Sequence, residues 1–166
     1  MKTFKAALEN SPFYIITQYN GIEFKNLLEN PDNVRILYIY DSDYLSYFSK
    51  DVEKWNSNYN YFVCWKGLEI AAIAKTKTNL DDLDDKVFEL IYMEVVTKYQ
   101  NEGIATLLTK EIFKHCNRFN YVFKTCSYTK IGEIKLKPLF NRLAEKMGLV
   151  FIDNENGDWI KKSFVY

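Results

Sequence analysis

A long apolar run that passes through a short polar loop and a glycine into a helical pattern is the feature that most restricts this chain's fold. Lys86–Val96 (KVFELIYMEVV) is rich in β-branched and aromatic residues over the length of a strand. Thr97–Gly103 (TKYQNEG) follows, and then Ile104, Leu107, Leu108 and Ile112 recur at helical spacing, which predicts a helix from about Ile104 to Cys116 with those four side chains inward. A helix start leaves its first amide N–H groups without intrahelical partners, pointing outward at the positive end of the helix dipole. That is a cradle for an anion. Gly103 lets the backbone come close to a ligand, and Ala105 keeps a second approach point nearly bare. Neither the three spaced glycines of a dinucleotide fingerprint nor the Gly-Lys-Ser/Thr of a phosphate loop is present. The segment therefore reads as a cradle of another kind or as an ordinary strand-to-helix turn.

The remaining elements frame this segment. Phe13–Thr17 has strand length, and Asn20 followed by Glu23 has the form of a capping box ahead of an apolar pattern at Phe24, Leu27 and Leu28. Val34–Tyr40 (VRILYIY) is apolar on both faces, as in a buried strand. Asp41-Ser42-Asp43 offers caps for a helix with Leu45, Phe48, Val52 and Trp55 on one stripe. Tyr61–Trp65, a Lys66-Gly67 turn and Leu68–Lys75 read as a hairpin, and Asn79–Asp85 (NLDDLDD) as an acidic loop. Tyr121–Ser127 reads as a strand. Pro138 suits a first helical position, Leu139, Leu143 and Met147 form an apolar face, and Gly148 ends the helix. Leu149–Asp153 and Trp159–Phe164 pair around Asn156-Gly157, a hairpin turn signal. Strands, then alternating strands and helices, then a hairpin indicate an α/β (α+β) fold, a mixed sheet with helices on its faces.

Composition bounds the partners. The chain has 166 residues, which suits a single domain over 1–166, with 1–33 an N-terminal extension or the first strand and helix. Basic and acidic residues number 22 each, so net charge gives no bulk attraction to nucleic acid or to an anionic membrane surface. No apolar run approaches the roughly 20 residues of a membrane span. Cys64, Cys116 and Cys126 form an odd set without close pairing, as expected of reduced thiols in a cytoplasmic protein. Asp153–Asp158 superficially suggests a calcium loop, but aligning its glycine puts Ile152 and Ser163 at ligand positions, so no metal is expected there.

Gln100-Asn101-Glu102-Gly103-Ile104-Ala105 resembles the pyrophosphate loop of the GNAT superfamily of acyl-CoA-dependent N-acetyltransferases, Arg/Gln-x-x-Gly-x-Gly/Ala. The similarity continues upstream in Tyr61–Ala74, which looks like that family's second and third strands. It continues downstream in Leu143–Phe151 (LAEKMGLVF), which looks like its L-Tyr-E-K-L-G-F segment. The resemblance implies a mixed, mostly antiparallel central sheet flanked by helices, with a splay between the fourth and fifth strands that admits the pantetheine arm of acetyl-CoA. It implies that the backbone of Val95 and Val96, beside Thr97, pairs with that arm. The amides of Gln100, Asn101, Glu102, Gly103, Ile104, Ala105 and Thr106 would hold the diphosphate.

Direct acetyl transfer needs a neutral amine, and free alkylamines are mostly protonated near pH 7. A carboxylate can take that proton. Glu89 stands where members resembling histone acetyltransferases keep their base, and by alternation it shares a face with Ile91, Met93 and Val95. Apolar neighbours raise a carboxyl's proton affinity, which suits a base; Glu94, on the other face, is the second candidate. The family's usual acid is a Tyr four residues before the Gly of the last motif, where this chain has Ala144. Tyr128 is the replacement donor nearest in sequence, and Lys137 stands where the family commonly carries an Asn, either contacting cofactor or as part of a solvated helix start. Tyr38, Tyr40, Tyr44 and Tyr47 are core or acceptor-side residues. His115 reads as a solvent-side cap near a helix end, and Cys126 as a small buried hydrophobe.

The resemblance implies a metal-independent transferase, monomer or homodimer, acting on an amine acceptor: a small molecule, or a protein or peptide lysine or N-terminus. The alternatives are a non-catalytic acyl-CoA-binding or protein-interaction module of the same fold, and a relative using a longer acyl group or aminoacyl-tRNA.

Overall fold

The structure, a computed structural model, describes residues 12–29, 59–80, 86–125, 130–149, 151–155 and 158–162. Its elements in chain order are β1 (Tyr14–Asn20), α1 (Gly21–Glu29), β2 (Tyr59–Lys66), β3 (Glu69–Leu80), β4 (Lys86–Val95), a 3₁₀ turn (Thr97–Tyr99), α2 (Ile104–Phe119), β5 (Val122–Thr125), α3 (Lys130–Met147), β6 (Phe151–Glu155) and β7 (Asp158–Lys162). The strands hydrogen-bond in chain order, β1 to β7, in one sheet. β1 runs antiparallel to β2, with Tyr14 opposite Lys66 and Asn20 opposite Asn60. The two-residue Gly67-Leu68 connection between β2 and β3 can close only an antiparallel pair. β4 and β5 are parallel, as are β5 and β6, and β6 returns antiparallel to β7. This is the expected mixed, mostly antiparallel sheet.

The chain forms two compact units, Met1–Lys75 with Met93–Ile104, and Thr76–Tyr92 with Ala105–Tyr166. In the first, the capping box closes as the sequence predicts. The Glu23 N–H donates to Asn20 Oδ1 at 2.8 Å and the Asn20 N–H donates to Glu23 Oε1 at 3.1 Å, which satisfies two groups at the start of α1. α1 thereby lays Phe24 and Leu27 onto Tyr61, Val63, Trp65, Ile70 and Ile73 of β2 and β3. Phe24 stacks on Tyr61 with ring centroids 4.3 Å apart. The buried Trp65 keeps its indole N–H satisfied by donating to Thr17 Oγ1 of β1 at 2.8 Å.

In the second unit, Phe113 of α2, Phe123 of β5 and Phe140 of α3 meet edge-to-face, at 4.7 Å between Phe113 and Phe123 and 5.6 Å between Phe123 and Phe140. Both helices end in left-handed residues, Asn120 at φ 58° and Gly148 at φ 68°. The Leu149 N–H reaches the Ala144 carbonyl at 2.9 Å and the Gly148 N–H the Glu145 carbonyl at 3.3 Å, the Schellman pattern that Gly148 announces in the sequence. Asn117 Nδ2 donates to the Met147 carbonyl at 2.9 Å, fastening the end of α3 to α2.

The structure departs from the expectations at particular residues. α3 begins at Lys130, so Pro138 lies inside the helix, and Lys137 is no helix start. Pro138 frees the carbonyl of Ile134, but both residues are exposed and water can take that bond. α2 runs on to Phe119, and Leu107 is 40% exposed while Ile104, Leu108, Ile112 and Phe113 form the buried stripe. β5 is described only over Val122–Thr125. His115 is no solvent-side cap: it packs among Phe88, Phe119 and Tyr121 with ring centroids 4.9, 4.8 and 5.7 Å away. Burial, with a smaller contribution from Arg118, lowers its proton affinity. Cys64 and Cys116 are free and buried, and burial pushes the Cys64 thiol up to about 12. Asn79 and Leu80, expected to open the acidic loop, belong to the end of β3, while Cys126, Tyr38–Tyr47, the predicted strand at 34–40, the helix after it, Asp81–Asp85 and the Asn156-Gly157 turn lie outside the described residues.

A histidine held neutral by folding binds its proton more readily in the unfolded chain, so its stabilisation is present above the unfolded value near 6.5 and is lost as pH falls through it. Urea denaturation of the native chain from about pH 7.5 to about 5.5 is expected to show stability falling with pH. The His115→Phe variant, which keeps an aromatic ring there, is expected to flatten that slope; equal slopes would contradict this reading of His115.

Candidate active site

The loop that the sequence singles out leaves the end of β4 under close local control. The Val96 N–H donates to the Ala71 carbonyl of β3 at 2.8 Å, so the sheet holds the strand up to its last residue. The Tyr99 N–H then donates to the Val96 carbonyl at 2.8 Å, closing the 3₁₀ turn. Gln100 turns back, and its Nε2 donates to the Val95 carbonyl at 3.0 Å. Asn101 at φ 66° and Gly103 at φ 81° both take the left-handed conformation, with Glu102 between them. Gly103 is required by this conformation and not by crowding, since a Cβ there would meet nothing within 4 Å. Gln100–Gly103 are exposed, whereas Ile104 is buried and anchors the first turn of α2. Thr109 Oγ1 donates to the Ala105 carbonyl at 2.6 Å within the first turns of α2.

Side chains from three strands brace this loop. The Tyr14 hydroxyl, at the start of β1, donates to the Glu102 carboxylate. Tyr99 donates to Glu69 at the start of β3, and Lys98 forms an ion pair with the same carboxylate. Tyr14 and Tyr99 meet edge-to-face at 6.4 Å, with the Lys66 ammonium 5.1 Å from the Tyr14 ring centroid. Lys98 and Tyr99, by hydrogen bonding, hold the Glu69 carboxyl below the usual carboxylate range. Burial and then the Glu69 contact push the Tyr99 phenol up to about 12. None of these braces was visible from sequence motifs. The one available signal was Asn101, a residue type that tolerates positive φ, placed two before a glycine.

On β4 the ladder to β5 pairs Val87–Leu90 with Val122–Thr125, and β4 continues to Val95. That register sets Glu89 beside Lys124, and their side chains form an ion pair at 3.1 Å. Glu89 therefore has a cation against it, which alternation along β4 did not reveal. Its side chain is 16% exposed. Glu94 lies on the same strand at opposite parity and is half-buried. Thr125, next to Lys124, is buried with a hydroxyl that has no hydrogen-bond partner among the described residues. Ala144 is fully buried in α3 and brings no hydroxyl to the place of the expected acid; Tyr128, the other candidate, lies outside the described residues. Lys137 is half-buried within α3, and its carbonyl accepts from Asn141 Nδ2 at 2.9 Å. Among the described residues no group of three or more His, Cys, Asp or Glu could hold a metal ion, and no helix is long and apolar enough to cross a membrane.

No protein-family model matches the chain, and no curated protein matches it in sequence. Solved structures do match. An aminoglycoside acetyltransferase from an uncultured soil metagenomic sample, solved with trehalose, superposes with a TM-score of 0.53 at 14% identity, covering 93% of this chain and 95% of its own. Aminoglycoside N-acetyltransferase AAC(6')-Iy in complex with CoA gives 0.53 at 12% identity and 93% of each chain. An aminoglycoside 6'-N-acetyltransferase from Acinetobacter baumannii gives 0.50 at 12% identity, over 92% of this chain and all of its own. The fold is that of the GNAT acetyltransferases. In this chain the segment Gln100–Ala105 follows β4 and the 3₁₀ turn and leads into α2.

Replacing Gly103 by Ala forces a Cβ into the left-handed region without a clash, so the cost is conformational, about 1–2 kcal/mol. The expected result is a melting temperature lower by roughly 2–8 °C in calorimetry of the Gly103→Ala protein. An unchanged melting temperature would show that the loop relaxes out of this conformation.

Proposed function

We propose that this chain transfers an acetyl group from acetyl-CoA to a primary amine. The observation that carries the reading is the Asn101–Gly103 reversal. Within a GNAT fold, that reversal supports reading the loop between β4 and α2 as the seat of a diphosphate. Because the Val96 N–H is committed to β3, Val95 is the β4 residue that we assign to pair with the pantetheine amide, with Gln100 beside its carbonyl.

In the proposed reaction the neutral amine attacks the thioester carbonyl, the C–S bond breaks, and coenzyme A leaves as a thiolate that then takes a proton. Positioning both substrates makes the attack effectively intramolecular. Glu89 is assigned as the base that takes the amine proton, with Lys124 in an ion pair beside it. Tyr128 is assigned as the acid, because Ala144 has no hydroxyl. The acceptor is proposed to be a small-molecule amine, which the aminoglycoside acetyltransferases among the structural neighbours support. Ala144 also favours a second reading, a non-catalytic acyl-CoA-binding module.

The test is a transfer assay with acetyl-CoA against aminoglycosides, polyamines, amino acids and peptides. Thiol release that depends on one class of amine is expected, and Glu89→Gln is expected to bind acetyl-CoA unchanged while lowering turnover by a factor of about 100 or more. Binding without turnover across the panel would favour the non-catalytic module. Full turnover by Glu89→Gln would remove Glu89 from the mechanism.

A further inference from the structure

Glu102 is out of place in an anion cradle. Its backbone lies between the two left-handed residues Asn101 and Gly103, at the residue pair that turns the chain into α2. A free carboxylate there would stand beside the phosphoryl oxygens that the loop's amides are built to hold, and like charges repel. The structure gives this carboxylate a donor from far along the chain, the hydroxyl of Tyr14, 88 residues away at the start of β1. Tyr14 is itself held. Its ring meets Tyr99 edge-to-face, its strand register sets it opposite Lys66, and the Lys66 ammonium lies over its face while donating to the Pro12 carbonyl at 2.8 Å.

We infer that Tyr14 is a positioning residue for coenzyme binding: its hydroxyl draws the Glu102 carboxylate toward β1 and off the amides that receive the diphosphate. The inference rests on the acetyl-CoA reading above. Burial and then the contact with Glu102 push the Tyr14 phenol up to about 12, so it remains a proton donor across the pH range of any assay. Because the hydroxyl acts on the carboxylate beside the diphosphate and not on the reacting atoms, its loss should affect cofactor affinity more than the chemistry that follows.

A merely structural brace and a charge-positioning contact make different predictions when Glu102 is neutral. Acetyl-CoA binding is measured by calorimetry, and KM and kcat by thiol release, for the full chain and for Tyr14→Phe, Glu102→Gln and the double variant. Tyr14→Phe is expected to weaken binding about tenfold and raise KM for acetyl-CoA in parallel, with kcat at saturation retained. That loss is expected to shrink as salt is raised, because an exposed carboxylate is screened. Glu102→Gln is expected to bind tighter than the native chain, and the double variant to bind like Glu102→Gln. A double variant as weak as Tyr14→Phe would overturn the inference, as would native affinity in Tyr14→Phe. Failure of the native chain to bind acetyl-CoA would overturn the transferase reading, and this inference with it.

Discussion

Two residues at positive φ, Asn101 and Gly103, turn the chain from β4 into α2, and the candidate site depends on that turn. A helix start offers N–H groups to an anion only if the preceding chain bends away from them. Here it does so within three residues. The Val96 N–H fixes the strand side, the buried Ile104 fixes the helix side, and Gln100, Tyr14, Lys98 and Tyr99 hold what lies between. Asn and Gly both tolerate this conformation, and several contacts specify it at once.

The elements read from the sequence with least ambiguity were those whose signals are local. Asn20 with Glu23 formed the reciprocal cap, Gly148 formed the Schellman end, and Gln100–Ala105 formed the strand-to-helix turn, because in each case partners lie within a few residues. Helix propensity misplaced Pro138 for an equally physical reason: an interior proline is tolerated where the freed carbonyl faces water. Leu107 satisfied the helical spacing but fell on the rim of the apolar stripe, and His115 was read from its neighbours in sequence when its environment is set by Phe88 and Tyr121.

The contacts that surround the candidate site are long-range. Tyr14 with Glu102 and Tyr99 with Glu69 join the loop after β4 to other strands, and Glu89 with Lys124 joins two neighbouring strands. Their pairing depends on strand order and register, which alternation patterns leave open. Each places a carboxylate next to a donor, and in each the donor decides what the carboxylate can do: Glu102 is turned aside, Glu69 ties down the 3₁₀ turn, and Glu89 carries a cation at its side. Function on a common fold resides in such details.

The central claim is that the amides from Asn101 to Thr106 receive a diphosphate, and the most direct measurement follows those amides themselves. In a titration of the isotopically labelled chain with coenzyme A, followed by ¹⁵N–¹H correlation spectra, the account predicts saturable shifts centred on Asn101, Glu102, Gly103, Ala105 and Thr106. Adenosine without phosphates should leave these resonances in place. Saturable binding that moves other resonances and spares this loop would contradict the account.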